Sequence, residues 1–494
     1  LTWRRIKARF ILPSSQRRVQ RHGEGPTTPS AGRPRRDRFD NQTSLAHEDW
    51  GYLKEAGVNL LRLGVMWPGA EPARGRYNET FFREIRSIVE EAGEHGMYVL
   101  LDMHQDLLSE RFCGEGVPAW AAQTPKLRAF GFPVPLHPRP AALGADGFPS
   151  RQACRKAFPD GPVISGWSSG YGTYAAGHAF ESLYTDVDGL TQAWGAFWAK
   201  TATAVKGLSN VLGFELINEP FAGNPFADPL LLLPGRADAK RLQPAYDSVA
   251  RHVRQVDREA LLFFAGVTWD DCHPVGFDHA PGGPDEANRS VLAYHFYVPP
   301  QKRGNFAHYL AARRKDARRL GTGVMLTESC CGGLFDEALL QLNAAGHSWV
   351  HWEWKDWCRE DAASLNSSSQ RAAWGACKTG FGAGPFEKSE KPDPEVMARL
   401  AVPYAPAVAG SVLGTSWNAS AGVFELRFRL DPAVEGPTEV FVNAELTFGG
   451  AFDVFVEPDV LRVQRAERLH RLFLRPARGA AAGQQVAVRL ARRR

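Results

Sequence analysis

No stretch of this sequence stays apolar long enough to cross a membrane. Runs such as 260–267 and 230–233 are of strand length or shorter, against the roughly 18–20 residues a spanning helix needs. No Cys-x-x-Cys pair occurs among the seven cysteines at 113, 154, 272, 330, 331, 358 and 377, so their spacing is not that of a zinc site. No Gly-x-Gly-x-x-Gly follows a strand-like run, which argues against an open dinucleotide-binding sheet. No period of solenoid type is present.

What charge there is lies unevenly. The chain carries a formal +5. Residues 1–39 hold eleven Lys/Arg against two acids, so the remainder is slightly acidic. The basic balance belongs to a tail rich in Arg, Pro, Gly and Ser, and no nucleic-acid partner is expected from it. Residues 1–43 read as a disordered arm, a transit-like segment or a wrongly joined start. Asn-x-Ser/Thr acceptors at Asn41, Asn78, Asn288, Asn366 and Asn418 favour a secreted or endomembrane, lysosome-like location.

With 494 residues and 44% hydrophobic side chains, two or three globular domains are expected. From residue 44 strands and helices alternate. A helix over 44–56 with Gly57 at its end leads to an apolar strand over 58–66. Asn78 is placed to cap a helix that turns Phe82, Ile85, Val89 and Ala92 to one side. Further strands are expected at 97–103, 211–217, 261–266, 291–296, 323–327 and 348–354. Helices are expected at 190–206, 244–257, 306–320 and 335–345, and 105–188 reads as a long irregular stretch. Seven nearly continuous apolar strands are what a parallel sheet covered on both faces requires. With one poorly written N-terminal strand they predict an α/β fold, a (β/α)8 TIM barrel over 44–395.

After residue 405 the period changes to two, as in VFELRFRL at 423–430. Short strands at 438–442, 453–456, 461–464, 471–474 and 485–490 predict a C-terminal antiparallel β-sandwich over 405–494. The proline-rich segment 392–407 is the expected junction.

A barrel of this kind carries its chemistry at the C-terminal ends of its strands. Glu219 ends one strand, after Asn218, and Glu328 ends another. His104, Gln105 and Asp106 follow the strand 97–103. His295 and Tyr297 stand at the end of 291–296, and Trp352 and Trp354 on the last. Arg62 lies inside an apolar strand, where an unpaired charge is costly, so a partner such as Glu328 is expected. Singly, a Glu at a strand end is more often a solvated charge, and His104, His295 or Trp352 more often core. Two acids on two strands within one aromatic, His-bearing set point instead to glycoside cleavage. That reaction needs one carboxylic acid to protonate the leaving oxygen and one carboxylate to attack the anomeric carbon.

The residues then resemble a known family. FELINEP around Glu219 and VMLTESC around Glu328 are similar to the motifs of glycoside hydrolase family 5. LRLGVMWPGAEP, LLDMHQD, GVPAW, DPLLLLPGRADAKRLQPAYDSV, YHFYVP and PTEVFVNAELTFGGAFDV resemble its endoglycoceramidase and glycosylceramidase branch, from about residue 44 to 490. The resemblance implies a retaining β-glycosidase acting on a glycolipid, without metal or organic cofactor. It implies Glu219 as acid/base and Glu328 as nucleophile. It places Asn218 on the sugar 2-hydroxyl, Tyr297 on the nucleophile and Arg62 beneath it. His104, Asp106 and His295 would line the sugar subsite, with Trp352 as its aromatic floor. The family's first strand, with a Gly-x-Asn stretch, is not readable in 1–43.

A ceramide aglycone needs an apolar channel and transient contact with a membrane surface. Two loops offer apolar residues. One is 107–188, with Leu107, Leu108, Phe112, Trp120, Phe130, Phe132, Trp167, Tyr171, Tyr174, Phe180 and Tyr184. The other is 221–234, with Phe221, Phe226 and the leucines 230–233. A steryl glucosidase, an endo-β-glucanase and an inactive carbohydrate or lipid binder remain as other readings.

Overall fold

The computed structural model describes residues 11–12, 45–123, 143–145, 147–157, 166–267, 273–298, 301, 304–329, 332–352, 354 and 391–493. Seven parallel strands lie side by side in chain order. They are β1 (Ile11–Leu12), β2 (Leu60–Gly64), β3 (Tyr98–Asp102), β4 (Val211–Glu215), β5 (Leu261–Ala265), β6 (Ser290–Phe296) and β7 (Gly323–Ser329). An eighth segment joins beyond β7: Leu326 bonds to Ser348 and Val350, and Trp352 N–H to the Ser329 carbonyl at 2.9 Å. This is the strand order of a (β/α)8 barrel.

The first strand departs from the expectation for residues 1–43. Ile11 and Leu12 pair in parallel with Arg62 and Leu63. Two residues carry no periodicity, so a basic segment hid them. The 105–188 stretch also holds more order than expected, including a helix at Tyr174–Tyr184 whose N-cap Thr173 accepts from Ala176 N–H. Its Gly and aromatics obscure the helical period.

Period two within the strands builds the barrel in layers. Leu60, Leu100, Phe263, Ala293, Met325 and Val350 share an inner apolar cluster. Their neighbours Leu61, Leu63, Val99, Leu101, Leu262, Phe264, Leu292 and Leu326 belong to the main core under the helices. Two residues further along, the inward side becomes polar: Arg62 follows Leu60, Asp102 follows Leu100, Glu215 follows Gly213 and His295 follows Ala293. The helix Glu79–Glu94 shows why such segments fold as they do. Asn78 Oδ1 accepts from the N–H groups of Thr80 and Phe81, and Phe82, Ile85, Val89 and Ala92 are buried.

The C-terminal part is two four-stranded antiparallel sheets. One runs β12 (Phe452–Glu457), β15 (Gln485–Arg492), β10 (Val423–Leu430), β9 (Gly410–Asn418). The other runs β13 (Leu461–Ala466), β14 (Arg471–Pro476), β11 (Thr438–Phe441), β8 (Tyr404–Ala407). Alternate residues Phe424, Leu426, Phe428 and Leu430 meet Val440, Leu472, Leu474, Val486, Val488 and Leu490 in one core. Strands β8 and β9 were not foreseen, because their residues fall in and just beyond the proline-rich junction.

Candidate active site

The polar layer above the barrel's apolar core is organised by one guanidinium. Arg62 is fully buried. Its Nε donates to Glu215, one terminal nitrogen to Glu328 Oε2 at 3.1 Å, and the other to Asn218 Oδ1 at 2.8 Å. The latter also lies 3.0 Å from Asp102 Oδ1. Burial alone would lower its pKa, but Asp102, Glu215 and Glu328 together raise it. The expected partner Glu328 is present, and two further carboxylates on β3 and β4 share the charge.

Glu219 and Glu328 face each other. One oxygen of each and a His295 ring nitrogen all lie within 4.8 Å of one another. His295 Nδ1 is 2.8 Å from Glu219 Oε1 and 3.8 Å from Glu328 Oε2. Tyr297 O–H donates to Glu328 Oε1 at 2.5 Å. Burial, reinforced by the charge of Asp106, pushes the Glu219 carboxyl up to about 7. Burial also raises Glu328, opposed by His295 and Arg62. Burial lowers His295, which favours its neutral form. Glu219 holds φ at 37°, a region a non-glycine residue seldom adopts. Gln105 pins that turn, donating to the carbonyls of Asn218 (2.8 Å) and Glu219 (2.7 Å).

His104, Asp106 and Trp352 form the adjoining wall. His104 Nδ1 lies 2.9 Å from Asp102 Oδ2, and its ring stacks on Trp352 with centroids 5.2 Å apart. Burial disfavours a charge on His104, but Asp102 and Asp106 overcome it and raise its pKa well above the ordinary value. Trp352 is half-buried, whereas Trp354 is wholly in the core. Every residue expected at the site is therefore brought to one place. Asp102, Glu115, Glu215 and Thr327 were not picked out, and Gln105 was noted at its strand end without a role. Glu215 takes the Thr327 hydroxyl at 2.9 Å. Glu115 puts an oxygen within 4.8 Å of His104 and Asp106 atoms. The signal that could have found Asp102 and Glu215 is the one that found Arg62: an ionised residue inside an apolar strand.

The apolar loops divide differently from expectation. Leu107, Leu108, Phe112, Phe180 and Tyr184 belong to the main core and so cannot line an open channel. Tyr171, Tyr174 and Trp120 stay partly open. Phe221 stacks on Tyr171 at 5.4 Å, and Phe226 sits 6.1 Å from Tyr174. Phe130, Phe132 and the Trp167 side chain lie outside the described residues. Cys113 and Cys154 form a disulfide that fastens this loop, while the other five cysteines lie outside the described residues.

A barrel with paired acids at two strand ends is the architecture of a retaining glycoside hydrolase. The chain belongs to the cellulase family, glycosyl hydrolase family 5, matched over residues 41–356, and residues 403–490 match that family's C-terminal domain. It is 37% identical to the endoglycoceramidase of Hydra vulgaris over 88% of this chain and 79% of that one. It is also 37% identical to the endoglycoceramidase of Cyanea nozakii, over 85% of this chain and 80% of that one. Endo-glycoceramidase II from Rhodococcus sp. shares the fold, with a TM-score of 0.69 at 20% identity over 99% of this chain and 97% of that one. Sterylglucosidase 1 of Cryptococcus neoformans also does, with a TM-score of 0.66 at 12% identity over 99% and 94%.

Proposed function

We propose that the protein hydrolyses the β-glycosidic bond between glycan and ceramide in glycosphingolipids, with retention of anomeric configuration. The observation that carries this is the Glu219–Glu328 pair. One oxygen of each lies within 4.8 Å of the other, short of the roughly 6.5–9.5 Å that separates the carboxyls of inverting enzymes. The substrate class is supported by the endoglycoceramidase relatives.

Glu219, protonated near neutral pH, gives its proton to the leaving ceramide oxygen. Glu328 attacks the anomeric carbon from the other side and forms a glycosyl ester. Glu219, now a carboxylate, takes a proton from water, which hydrolyses the ester and restores both groups. Tyr297 and Arg62 hold the nucleophile in place. Asn218, already tied by Arg62 and by its own bond to the Gln105 carbonyl (3.0 Å), has one amide hydrogen left for the sugar 2-hydroxyl. His104, Asp106 and His295 bind the sugar's remaining hydroxyls. The face of Trp352 stacks against its C–H groups. A ceramide embedded in a bilayer also requires transient contact with the membrane surface.

The test is product analysis by thin-layer chromatography on glucosylceramide, a ganglioside, a steryl glucoside and a β-glucan. Release of ceramide together with a free sugar is the expected result. Cleavage of the steryl glucoside or the glucan alone would reassign the aglycone and leave the carboxylate roles standing.

A further inference from the structure

Ten large apolar side chains stand clearly exposed among the described residues, and three of them share one turn: Leu230, Leu232 and Leu233, at 53%, 46% and 56%. Scattered exposed leucines need no explanation, but adjacent ones on a fixed turn do. This turn is fixed. Asp228 caps it, accepting from Leu230 N–H at 3.3 Å, and Leu233 N–H bonds back to the Leu230 carbonyl at 3.0 Å. Leu231, between the exposed three, is buried in the main core. Its Cδ1 lies beside Gly223, where a Cβ would meet it at an ordinary contact distance of 3.6 Å. The anchor holds its neighbours outward.

Place and charge say what covers them. The turn belongs to the same βα loop that carries Glu219, so it lies on the side of the barrel where the strands end and the cleft opens. Lys240 is answered by Asp228 and Arg241 by Glu181. Arg236, exposed just beyond Pro234, supplies positive charge behind the apolar tip. An apolar tip backed by a cation complements a bilayer whose headgroups are anionic and whose acyl boundary lies beneath them.

We infer that this turn docks the protein on a lipid bilayer, with Leu230, Leu232 and Leu233 entering the acyl–headgroup boundary and Arg236 meeting anionic headgroups. The inference rests on the glycolipid reading: a substrate with two alkyl chains resides in a bilayer, so the cleft has to be brought to that surface.

The test is flotation of the full chain with phosphatidylcholine vesicles, with and without phosphatidylserine, all free of glycolipid. The wild-type protein should float, more strongly with phosphatidylserine. The triple variant Leu230→Ser, Leu232→Ser, Leu233→Ser should bind at least about tenfold more weakly. Arg236→Glu should lose the phosphatidylserine increment. Both should retain hydrolysis of a soluble aryl β-glucoside, which reports an intact barrel. Variants that bind as well as the wild type overturn the docking. So does a wild-type protein that fails to float and sediments as a dimer that the triple variant dissociates, since the turn then joins two copies. A protein that floats but cleaves no glycolipid would sink the substrate reading alone. One that cleaves detergent-dissolved glycolipid without floating would sink the docking alone.

Discussion

At the scale of single residues, two glutamates of identical chemistry are given different tasks by their surroundings. Glu219 has His295 on one oxygen, no cation in bonding contact among the described residues, and a carboxyl raised to about 7. Glu328 has Arg62 and Tyr297, which favour its ionised form as attacking group. The acid must be protonated, so kcat/KM should fall as pH rises through about 7. The nucleophile must be ionised, so a second fall is expected on the acid side. The same shift acts on stability. A carboxyl raised from 4.5 to about 7 on folding favours the folded state fully below 4.5, and that contribution is lost as pH rises through about 7. Glu219→Gln stays neutral, so it should melt higher than wild type above about pH 7 and nearly alike in acid. Its turnover should recover on aryl glycosides whose leaving group needs no proton. A variant whose melting tracked wild type at all pH values would show that the buried charge is compensated. Glu328→Gln should abolish turnover on every substrate while the melting transition survives. Residues ending strands were readable because position and chemistry coincide there. Asp102 and Glu215 escaped notice because each is a single acid inside an apolar run, and their value appears only when β2, β3 and β4 are aligned around Arg62.

At the scale of elements, close approaches that no sequence period records decide the structure. Gly57 ends the helix Asp49–Glu55 with φ of 74°, as a helix-ending glycine should. A Cβ there would also lie 2.4 Å from the Phe441 ring of the sandwich. The first requirement was readable from the pattern; the second was not, because the partner is nearly four hundred residues away. Gly57→Ala should therefore cost at least about 2 kcal/mol, combining left-handed strain with displacement of the ring. Urea unfolding measures it, and a loss under about 1 kcal/mol would mean that the ring moves aside freely. The Cys113–Cys154 bond acts on another element. It closes a loop with a sequence separation of 41 residues, for which chain entropy allows up to about 4 kcal/mol. Cys154→Ser should lower the melting temperature. It should also raise KM more than it lowers kcat, because the loop carries Glu115, whose backbone bridges to Asp106 at the sugar wall. An unchanged KM would separate the bond from substrate binding. Such a bond persists in an oxidising compartment.

At the scale of the whole molecule, the barrel and the sandwich share hydrogen bonds along a buried and half-buried seam. Tyr404 O–H donates to the Gly57 carbonyl at 2.7 Å, and Asn443 Nδ2 to the Glu55 carbonyl at 3.0 Å. Thr415 reaches the Asn343 carbonyl at 2.6 Å and Thr447 the Ala401 carbonyl at 2.9 Å. Ala401, Tyr404 and Phe441 form a small apolar cluster of their own at this seam. The change of period near residue 405 announced two architectures, but a period says nothing about how two bodies meet. A carbonyl that loses its donor while it stays buried costs about 1–3 kcal/mol, and parting the two bodies would expose the apolar seam to water. The two should unfold as one unit. Calorimetry should show a single transition, and Tyr404→Phe should lower it as a whole by about 1–2 kcal/mol without splitting it. A chain ending at residue 402 should aggregate, since the apolar surface around Gly57 and Ala401 that Tyr404 and Phe441 cover would face water. Two resolved transitions, or a soluble and active barrel without residues 403–494, would show instead that the sandwich is an independent appendage.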